Sequence, residues 1–365
     1  YGLRLGTGNP PGRLDVVVST QRLDRVVAHE AEDMTLVVQA GATLAAVDAA
    51  LAPHGQRLPI DPPFPGRTTV GGLIATDAFG PLRAAHGRVR DALIGVQVAL
   101  VDGTLVRGGG RVVKNVAGYD LMKLLCGSFG TLGIVVEAAF RLRPRPTRLR
   151  AGVVACAGLD DAAARAARLA ALPFTPAVAR VLAGAALDGL GVTTPAAIVV
   201  GVEGSAAEVD AMVRSIDSTL AAGVAWYDGA AADDALAAAR TAQAAAAGDA
   251  LVVRAGVLPS RLPALLAAVE TAATAAGVTP AMAADAAAGA LFVRVAGGAA
   301  ITVAQSVRRE AVARGGFAVF SDVDAALAAS LDLWGDVGAV GLMRGVKAAL
   351  DPERRLSPGR FVAGM

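Results

Sequence analysis

The chain has 365 residues and a formal net charge of +2, and its hydrophobic fraction of 54% includes only 4% aromatics. That length suggests two or three domains with cores of small and branched aliphatic residues, and the near-neutral balance argues against broad electrostatic binding to nucleic acid or a membrane surface. The two cysteines, Cys126 and Cys156, are too few for an iron–sulfur cluster or thiolate zinc site and fit a reducing compartment; with no apolar run of the roughly 18 residues a span needs and no charged-then-apolar leader, the sequence reads as a soluble cytoplasmic protein.

The opening YGLRLGTGNPPG contains a turn at Gly6-Thr7-Gly8 and a break at Pro10-Pro11-Gly12. Leu14–Ser19 and Thr35–Gln39 are β-branched runs that predict buried strands. Leu44–Pro53 predicts a helix capped by Thr43, with Leu44, Val47 and Leu51 on one stripe and His54-Gly55 at its end. Ala92–Val101 and Thr104–Arg107 flank Asp102-Gly103, a two-residue hairpin signal. Tyr119–Leu125 predicts a short helix ended by Gly127, and Leu132–Leu142 a long strand. Pro144 and Pro146 cannot donate to a sheet ladder, so RLRPRPTRLR at Arg141–Arg150 reads as a solvated boundary rather than a nucleic-acid face.

Beyond that boundary the pattern changes. Ala151–Ala155, Ala197–Val202 and Leu251–Ala255 read as strands. Each precedes an Ala-rich helical run, at about Asp160–Leu172, Ala206–Ala222 and Leu262–Ala276, and each helix leads to another apolar run. Such strand–helix–strand units suggest a ferredoxin-like α+β layer. Asp233–Ala247 reads as one more packing helix, and Val340–Leu350 as a helix before a surface tail, DPERRLSPGRF.

Two glycine-rich blocks carry the functional signal. In PIDPPFPGRTTVGGLIATDAFG (59–80), Gly66, Gly71 and Gly72 let the backbone approach a flat or phosphorylated ligand, Thr68, Thr69 and Thr76 add hydroxyls, and a helix opening after Gly72 offers free N–H groups to an anion. In the block from Gly108 to Val136, Lys114 and Asn115 precede Gly118-Tyr119-Asp120, and Gly127-Ser128-Phe129-Gly130-Thr131-Leu132-Gly133 joins a helix to a strand. Donors there suit a pyrophosphate or ribose. Neither block is a Walker A loop, and the glycines do not follow a first strand as in a nicotinamide fingerprint.

These blocks, with HGRVRDALIGVQVALVDGT, VVKNVAGYDLMKLLCGSFGTLGIV and DPERRLSPGR in order, resemble the FAD-binding oxidases of the vanillyl-alcohol-oxidase (PCMH) type, and within them the glycolate oxidase flavin-binding subunits of the E type. The likeness is dense over about Leu58–Arg143. It implies an α+β protein: a two-subdomain PCMH-type FAD-binding domain over residues 1–146, a ferredoxin-like cap over 147–337, and a return to the first domain over 338–365. It also implies a map of FAD contacts. Pro59, Asp61, Pro62 and Pro63 would run along the flavin; Thr68, Thr69, Gly71 and Gly72 would cradle the pyrophosphate and ribityl group; Ala75, Thr76 and Gly80 would pass beneath the ring. Gly87 and Val89 would line the dinucleotide, and Gly133 and Ile134 the adenine end. Taken singly, each glycine can serve only a turn, and Thr68 only a helix cap.

The resemblance implies redox chemistry carried by FAD. Free-standing flavin dehydrogenases of D-2-hydroxy acids that resemble this protein carry a histidine-containing cap cluster, whereas the corresponding stretch here, Ala313–Ala318, has none. All three histidines, His29, His54 and His86, precede the cap, and Asp285, Asp322 and Asp324 form no evident cluster. No metal site and no catalytic residue is assigned; His86 reads either as a catalytic group or as a packing or hydrogen-bonding neighbour of the ring, and Trp226 and Trp334 as core or interface anchors. The leading expectation is the FAD subunit of a glycolate-oxidase-type 2-hydroxy acid dehydrogenase complex, partnered by a catalytic flavin subunit and an iron–sulfur subunit, cytoplasmic or held at the inner membrane through them. The alternatives are a free-standing FAD-dependent 2-hydroxy acid dehydrogenase and a non-redox scaffold subunit.

Overall fold

The computed structural model describes residues 8–11, 14–110, 120–221, 223–246, 249–323, 325–328 and 330–365. Gly6, Thr7, Gly12, Lys114, Asn115, Gly118, Tyr119 and Asp324, singled out above, lie outside them. The molecule splits into two compact units, one of Tyr1–Gly80, His86–Arg145 and Asp336–Met365, the other of Pro81–Ala85 and Pro146–Gly335.

The first unit runs β1 (Val26–Glu30), β2 (Thr35–Gln39), α1 (Leu44–Leu51), β3 (Gln56–Arg57), α2 (Val70–Thr76), α3 (Arg83–His86, shared between the two sets), α4 (Val89–Ala92), β4 (Leu93–Ala99), β5 (Leu105–Gly109), α5 (Leu121–Leu125), β6 (Ile134–Arg141) and β7 (Arg143–Pro144). Five strands form one antiparallel sheet in the order β1-β2-β6-β4-β5. Side chains alternate across a strand, so Leu36, Val38, Val96, Val98, Ala138 and Phe140 share one face, where they pack with Val47, Leu51, Val70, Leu73 and Ile74 of α1 and α2. Thr43 starts α1 by accepting the Ala46 amide at 3.2 Å, and Gly55 (φ 63°) closes the turn after it.

Two local expectations give way here. Leu14–Ser19 is no strand: Leu14, Val16, Val17 and Val18 are all exposed. β-Branched residues favour a strand only when a partner and a covered face accept them, and among the described residues this segment has neither. The β4–β5 hairpin closes over three residues, Val101-Asp102-Gly103, not two. The Leu100 amide donates to the Thr104 carbonyl at 2.9 Å and the Gly103 amide to the Leu100 carbonyl at 3.0 Å. Gly103, at φ 87°, supplies the left-handed residue that such a loop requires.

The second unit runs β8 (Arg148–Cys156), α6 (Leu159–Ala170), β9 (Val178–Ala183), β10 (Ala196–Gly204), α7 (Ala206–Leu220), β11 (Ala225–Asp228), α8 (Gly229–Thr241), β12 (Asp249–Gly256), α9 (Leu262–Ala275), β13 (Ala281–Asp285), β14 (Ala290–Ala296), α10 (Ala300–Ala313), β15 (Phe317–Ser321) and α11 (Ala325–Ala328). Its eight strands form a single antiparallel sheet in the order β11-β8-β10-β9-β13-β14-β12-β15. Each half is a strand–helix–strand pair repeated with its outer strand folded back, the ferredoxin-like order, and the halves join where β9 pairs with β13. Leu159, Ala162, Ala166 and Leu169 of α6 and Leu262, Leu265, Leu266 and Val269 of α9 bury against one sheet face. A capping box starts α7: the Glu208 amide donates to Ser205 Oγ, and the Ser205 amide donates to Glu208 Oε2 at 2.8 Å. Helix α8 spans Gly229–Thr241 rather than Asp233–Ala247, because its Ala232 and Ala235 pack on Ala151 and Val153 on the opposite face of β8.

The sequence then returns to the first unit as α12 (Val340–Leu350) and the tail beyond it. Among the described residues no helix is long and apolar enough to cross a membrane.

Candidate functional site

Helix α2 organises the site. It starts at Val70 rather than after Gly72, and its first amides are spent inside the protein. Val70 donates to the Ala42 carbonyl (2.9 Å), Gly71 to Ala40 (2.7 Å) and Gly72 to the capping Thr69 Oγ1 (3.2 Å). The expected free N–H groups for an anion are therefore absent at this helix start. Gly71 is small because Ala40 is close: a Cβ there would stand 3.0 Å from the Ala40 Cβ. Thr68 is 1% exposed and its hydroxyl donates to the Pro63 and Phe64 carbonyls, both at 3.0 Å. Its contribution is the shape of the loop, not a hydroxyl held out to a ligand.

The helix is two-faced. Val70, Leu73 and Ile74 are buried in the core, whereas Gly72, Ala75 and Thr76 remain half-buried. The Thr76 hydroxyl folds back onto the Gly72 carbonyl at 2.7 Å. That side of α2 consequently has almost no relief.

The other sequence segments gather around it. The turn at Asp61 touches Gly80 so closely that a Cβ on Gly80 would lie 1.9 Å from the Asp61 carbonyl oxygen. Pro59, Pro62 and Pro63 are buried with that turn. After Gly87, which has φ 83°, Arg88 forms an ion pair with Asp77, the left-handed residue that ends α2. Val89 is fully buried in the core, so its isopropyl group does not reach the surface. The second glycine block meets α2 directly: the Gly127 amide donates to the Ile74 carbonyl (2.9 Å) and the Phe129 amide to Ala75 (2.8 Å). The α2 start and β6 are linked as well, since Ala40, which receives Gly71, donates its own amide to Val136 at 3.0 Å. Gly133 is buried against β4, where a Cβ would stand 2.4 Å from Val98 Cγ1, and Ile134 begins β6 beside Ala99.

Sequence reasoning missed the tail's contribution. The Asn9 carboxamide donates to the Gly359 and Phe361 carbonyls at 3.0 and 2.9 Å, and its backbone amide donates to Arg360 at 3.0 Å. Phe361 stacks at 5.8 Å on Phe129. A Cβ on Gly8, at φ 78°, would come 2.7 Å from the Arg360 carbonyl oxygen. Gly8, the Gly127–Gly130 turn, the tail and the smooth side of α2 thus adjoin one another. The smooth side of α2, nearly free of projecting side chains and bordered by Phe129 and Phe361, suits a flat dinucleotide. The residues present therefore fit FAD. The signal available in the sequence was the SPGRF tail, with no local pattern to say what it touches.

Burial raises the Cys126 thiol to about 11, which leaves it protonated near neutrality. His86 Nε2 lies 3.4 Å from Arg57 Nη2, while His29 and His54 pack edge to face at 4.6 Å and His29 bonds Gln56 at 2.8 Å. In the second unit Asp285 is bound bidentately by Arg180, at 2.6 and 3.0 Å, and Arg180 also donates to the Ala239 carbonyl and Gln243. Burial raises the Asp285 carboxyl and Arg180 pulls against it. Among the described residues no cluster of three or more metal-ligating side chains occurs. A hollow of about 230 Å³ on the sheet of the first unit is floored by Val37, Gly95, Gly109 and Ala139, and none of the predicted contact residues lines it.

Comparison with known proteins finds similarity to flavin-binding families. Residues 4–109 match the FAD binding domain family, and residues 325–361 match the C-terminal domain of FAD linked oxidases. The chain is 39% identical over 122 residues to the glycolate oxidase subunit GlcE of Escherichia coli (strain K12), covering 33% of this chain and 35% of that protein. It is 33% identical over 176 residues to the glycolate oxidase subunit GlcD of Bacillus subtilis (strain 168), covering 48% of this chain and 37% of the relative. A D-lactate dehydrogenase of Archaeoglobus fulgidus is 33% identical over 163 residues, 44% of this chain and 36% of that one. The chain thus spans little more than a third of the length of these relatives. Among solved structures, an alkyldihydroxyacetonephosphate synthase shares the fold with a TM-score of 0.68 at 18% identity, over 95% of this chain and 69% of its own. Matched by the FAD binding domain family near its beginning and by the C-terminal family of FAD linked oxidases at its returning end, the chain is similar to the PCMH-type FAD-linked oxidases.

Proposed function

We propose that the first unit holds FAD along the smooth side of α2 and that the protein is the FAD-binding subunit of a glycolate-oxidase-type 2-hydroxy acid dehydrogenase complex. One observation carries the reading: the side-chain-poor side of α2 is joined to the Gly127–Gly133 loop by the Ile74 and Ala75 carbonyls. Gly72, Ala75 and Thr76 would pass under the cofactor, with Gly71 and Thr69 fixing the helix start. The Asp61 turn, Gly80 and Gly87 would border it, and Gly133 and Ile134 would anchor the far end of the loop. FAD supplies the hydride and one-electron chemistry when bound. The protein's own residues supply orientation and a dry, shape-matched surface.

The complex assignment draws on the second unit. Its buried strand carboxylate on β13, Asp285, is locked to Arg180 and does not act as a general base for a hydroxyl proton. All three histidines lie in the first unit. Chemistry on the substrate then belongs to a catalytic flavin partner, with this chain passing electrons between that partner and an iron–sulfur subunit. Two relatives are themselves named as glycolate oxidase subunits.

The test is an anaerobic titration of the purified protein with glycolate and D-lactate, following flavin absorbance. The expected result is a yellow protein that these acids do not bleach until the partner subunits are added. Rapid bleaching of the protein alone would overturn the accessory role in favour of a free-standing dehydrogenase. A colourless protein with no affinity for FAD would leave the scaffold reading.

A further inference from the structure

Lys347 lies on α12 and is only 3% exposed. An ammonium group has three N–H donors, and each is used here: to Asp351 Oδ2 at 2.5 Å, to the Thr131 carbonyl at 2.7 Å and to the Leu356 carbonyl at 3.0 Å. Asp351 is fully buried and is itself fixed by the amides of Arg355 (3.0 Å) and Leu356 (2.8 Å). A buried ion pair adds little net stability over apolar residues of the same volume, so its geometry is where a use should be sought.

That geometry points at the glycine loop. Gly127, Phe129 and Gly130 adopt φ values of 79°, 56° and 70°. A phenylalanine in the left-handed region is strained and persists only where its surroundings fix it. Two ties come from α2, through Ile74 and Ala75. A third comes from Lys347, which grips the loop at Thr131 from a helix 216 residues later in the sequence. Thr131 is 2% exposed, and its own hydroxyl closes the turn on the Ser128 carbonyl at 2.7 Å.

We propose that Lys347 is a positioning residue: oriented by Asp351, it latches the returning tail onto the Thr131 carbonyl and holds Gly127–Gly133 in the shape that receives the dinucleotide. The ligand side of this statement rests on the flavin reading above. The ion pair is the means, and the shape of the loop is the product.

The experiment compares the full-length wild-type protein with Lys347→Met and with the double variant Lys347→Met/Asp351→Leu. Hydrogen exchange of peptides spanning Gly127–Gly133 and the dissociation constant for FAD are both measured. Lys347→Met alone strands a buried carboxylate and destabilises the tail; the double variant removes both charges, and with them the grip on Thr131 and the tail's own bonds through Arg355 and Leu356. In the double variant the loop should exchange roughly tenfold faster and FAD should bind roughly tenfold more weakly, the size of effect expected when one buried hydrogen-bond partner is removed. Fluorescence of Trp226 and Trp334, both in the second unit, should not change. Loop exchange equal to wild type in the double variant overturns the latch. If the wild-type protein takes up no FAD, the flavin reading fails, and the exchange comparison still decides whether Lys347 holds the loop.

Discussion

The two units solve the problem of a small-residue sequence in opposite ways. In the second, alanine is spent on regular packing: Ala162, Ala163 and Ala166 of α6 and Ala300, Ala304 and Ala311 of α10 press helices onto a sheet whose own core is Ile198, Val200, Leu291 and Val293. In the first, glycine is spent on irregular backbone, with Gly127 and Gly130 in the left-handed region and Gly71, Gly80 and Gly133 pressed against other segments. Regular packing tolerates loss of a contact in proportion to the volume lost. A site made of backbone depends on a few long-range ties, and the cost of losing one falls on binding. Because both tryptophans lie in the second unit, their fluorescence reports that unit, while bound flavin would report the first.

The largest expected effect comes from unbalancing a fully buried charge pair of the second unit. Arg180→Met leaves Asp285 without its partner and should lower stability by about 3–5 kcal/mol, read from the tryptophan denaturation curve. Adding Asp285→Leu should restore most of the loss; no recovery would mean that the Arg180 bonds to Ala239 and Gln243 matter more than the charge. In the first unit, Gly72→Leu puts bulk on the smooth side of α2. It should weaken FAD binding by roughly ten- to hundredfold, the cost typical of overpacking, while far-UV helicity and the tryptophan curve stay as they were. Retention of FAD by that variant would move the dinucleotide off α2.

Acid should distinguish the units next. Burial works to raise the Asp351 carboxyl, but hydrogen bonds from Lys347 and the amides of Leu356 and Arg355 prevail and hold it below its ordinary 3.8. A depressed value means stability present above 3.8 and lost as pH falls through the folded value. Flavin release should therefore begin below about pH 4, and Asp351→Asn should flatten that pH dependence. The smallest effect is expected at a surface pair. Arg165→Ala removes the 2.6 Å bond to Asp161 on α6, where both side chains are partly solvated, and should shift the tryptophan curve by less than about 0.5 kcal/mol.

The same contrast explains what the sequence discloses. The second unit is legible because short continuous apolar runs take turns with Ala-rich helical runs along it, and β8, β10, β12, α6, α7 and α9 fall close to where those runs predict. Its joining into one eight-stranded sheet is not, because the β9–β13 pairing joins segments about a hundred residues apart. In the first unit, α1 and its Thr43 cap are readable for the same local reasons. The glycine blocks mark where a ligand can meet the backbone, yet not which amides are free. Val70, Gly71 and Gly72 turn out to be engaged by Ala42, Ala40 and Thr69. Asn9, Phe361 and Lys347 carry no motif at all, since their roles exist only once the tail has returned. Leu14–Ser19 shows the converse, a good strand pattern with nothing described to pair it.

The bond between Asn9 and Arg360 has a consequence for biosynthesis. On a ribosome, everything the second unit needs has emerged once Gly335 clears the exit, whereas the first must wait for residues beyond Asp336 before its earliest segment finds a partner. The half of the molecule made first is thus the half completed last, and polypeptides truncated before Leu350 and released from the ribosome should hold a protease-resistant second unit and an unfinished cofactor cradle.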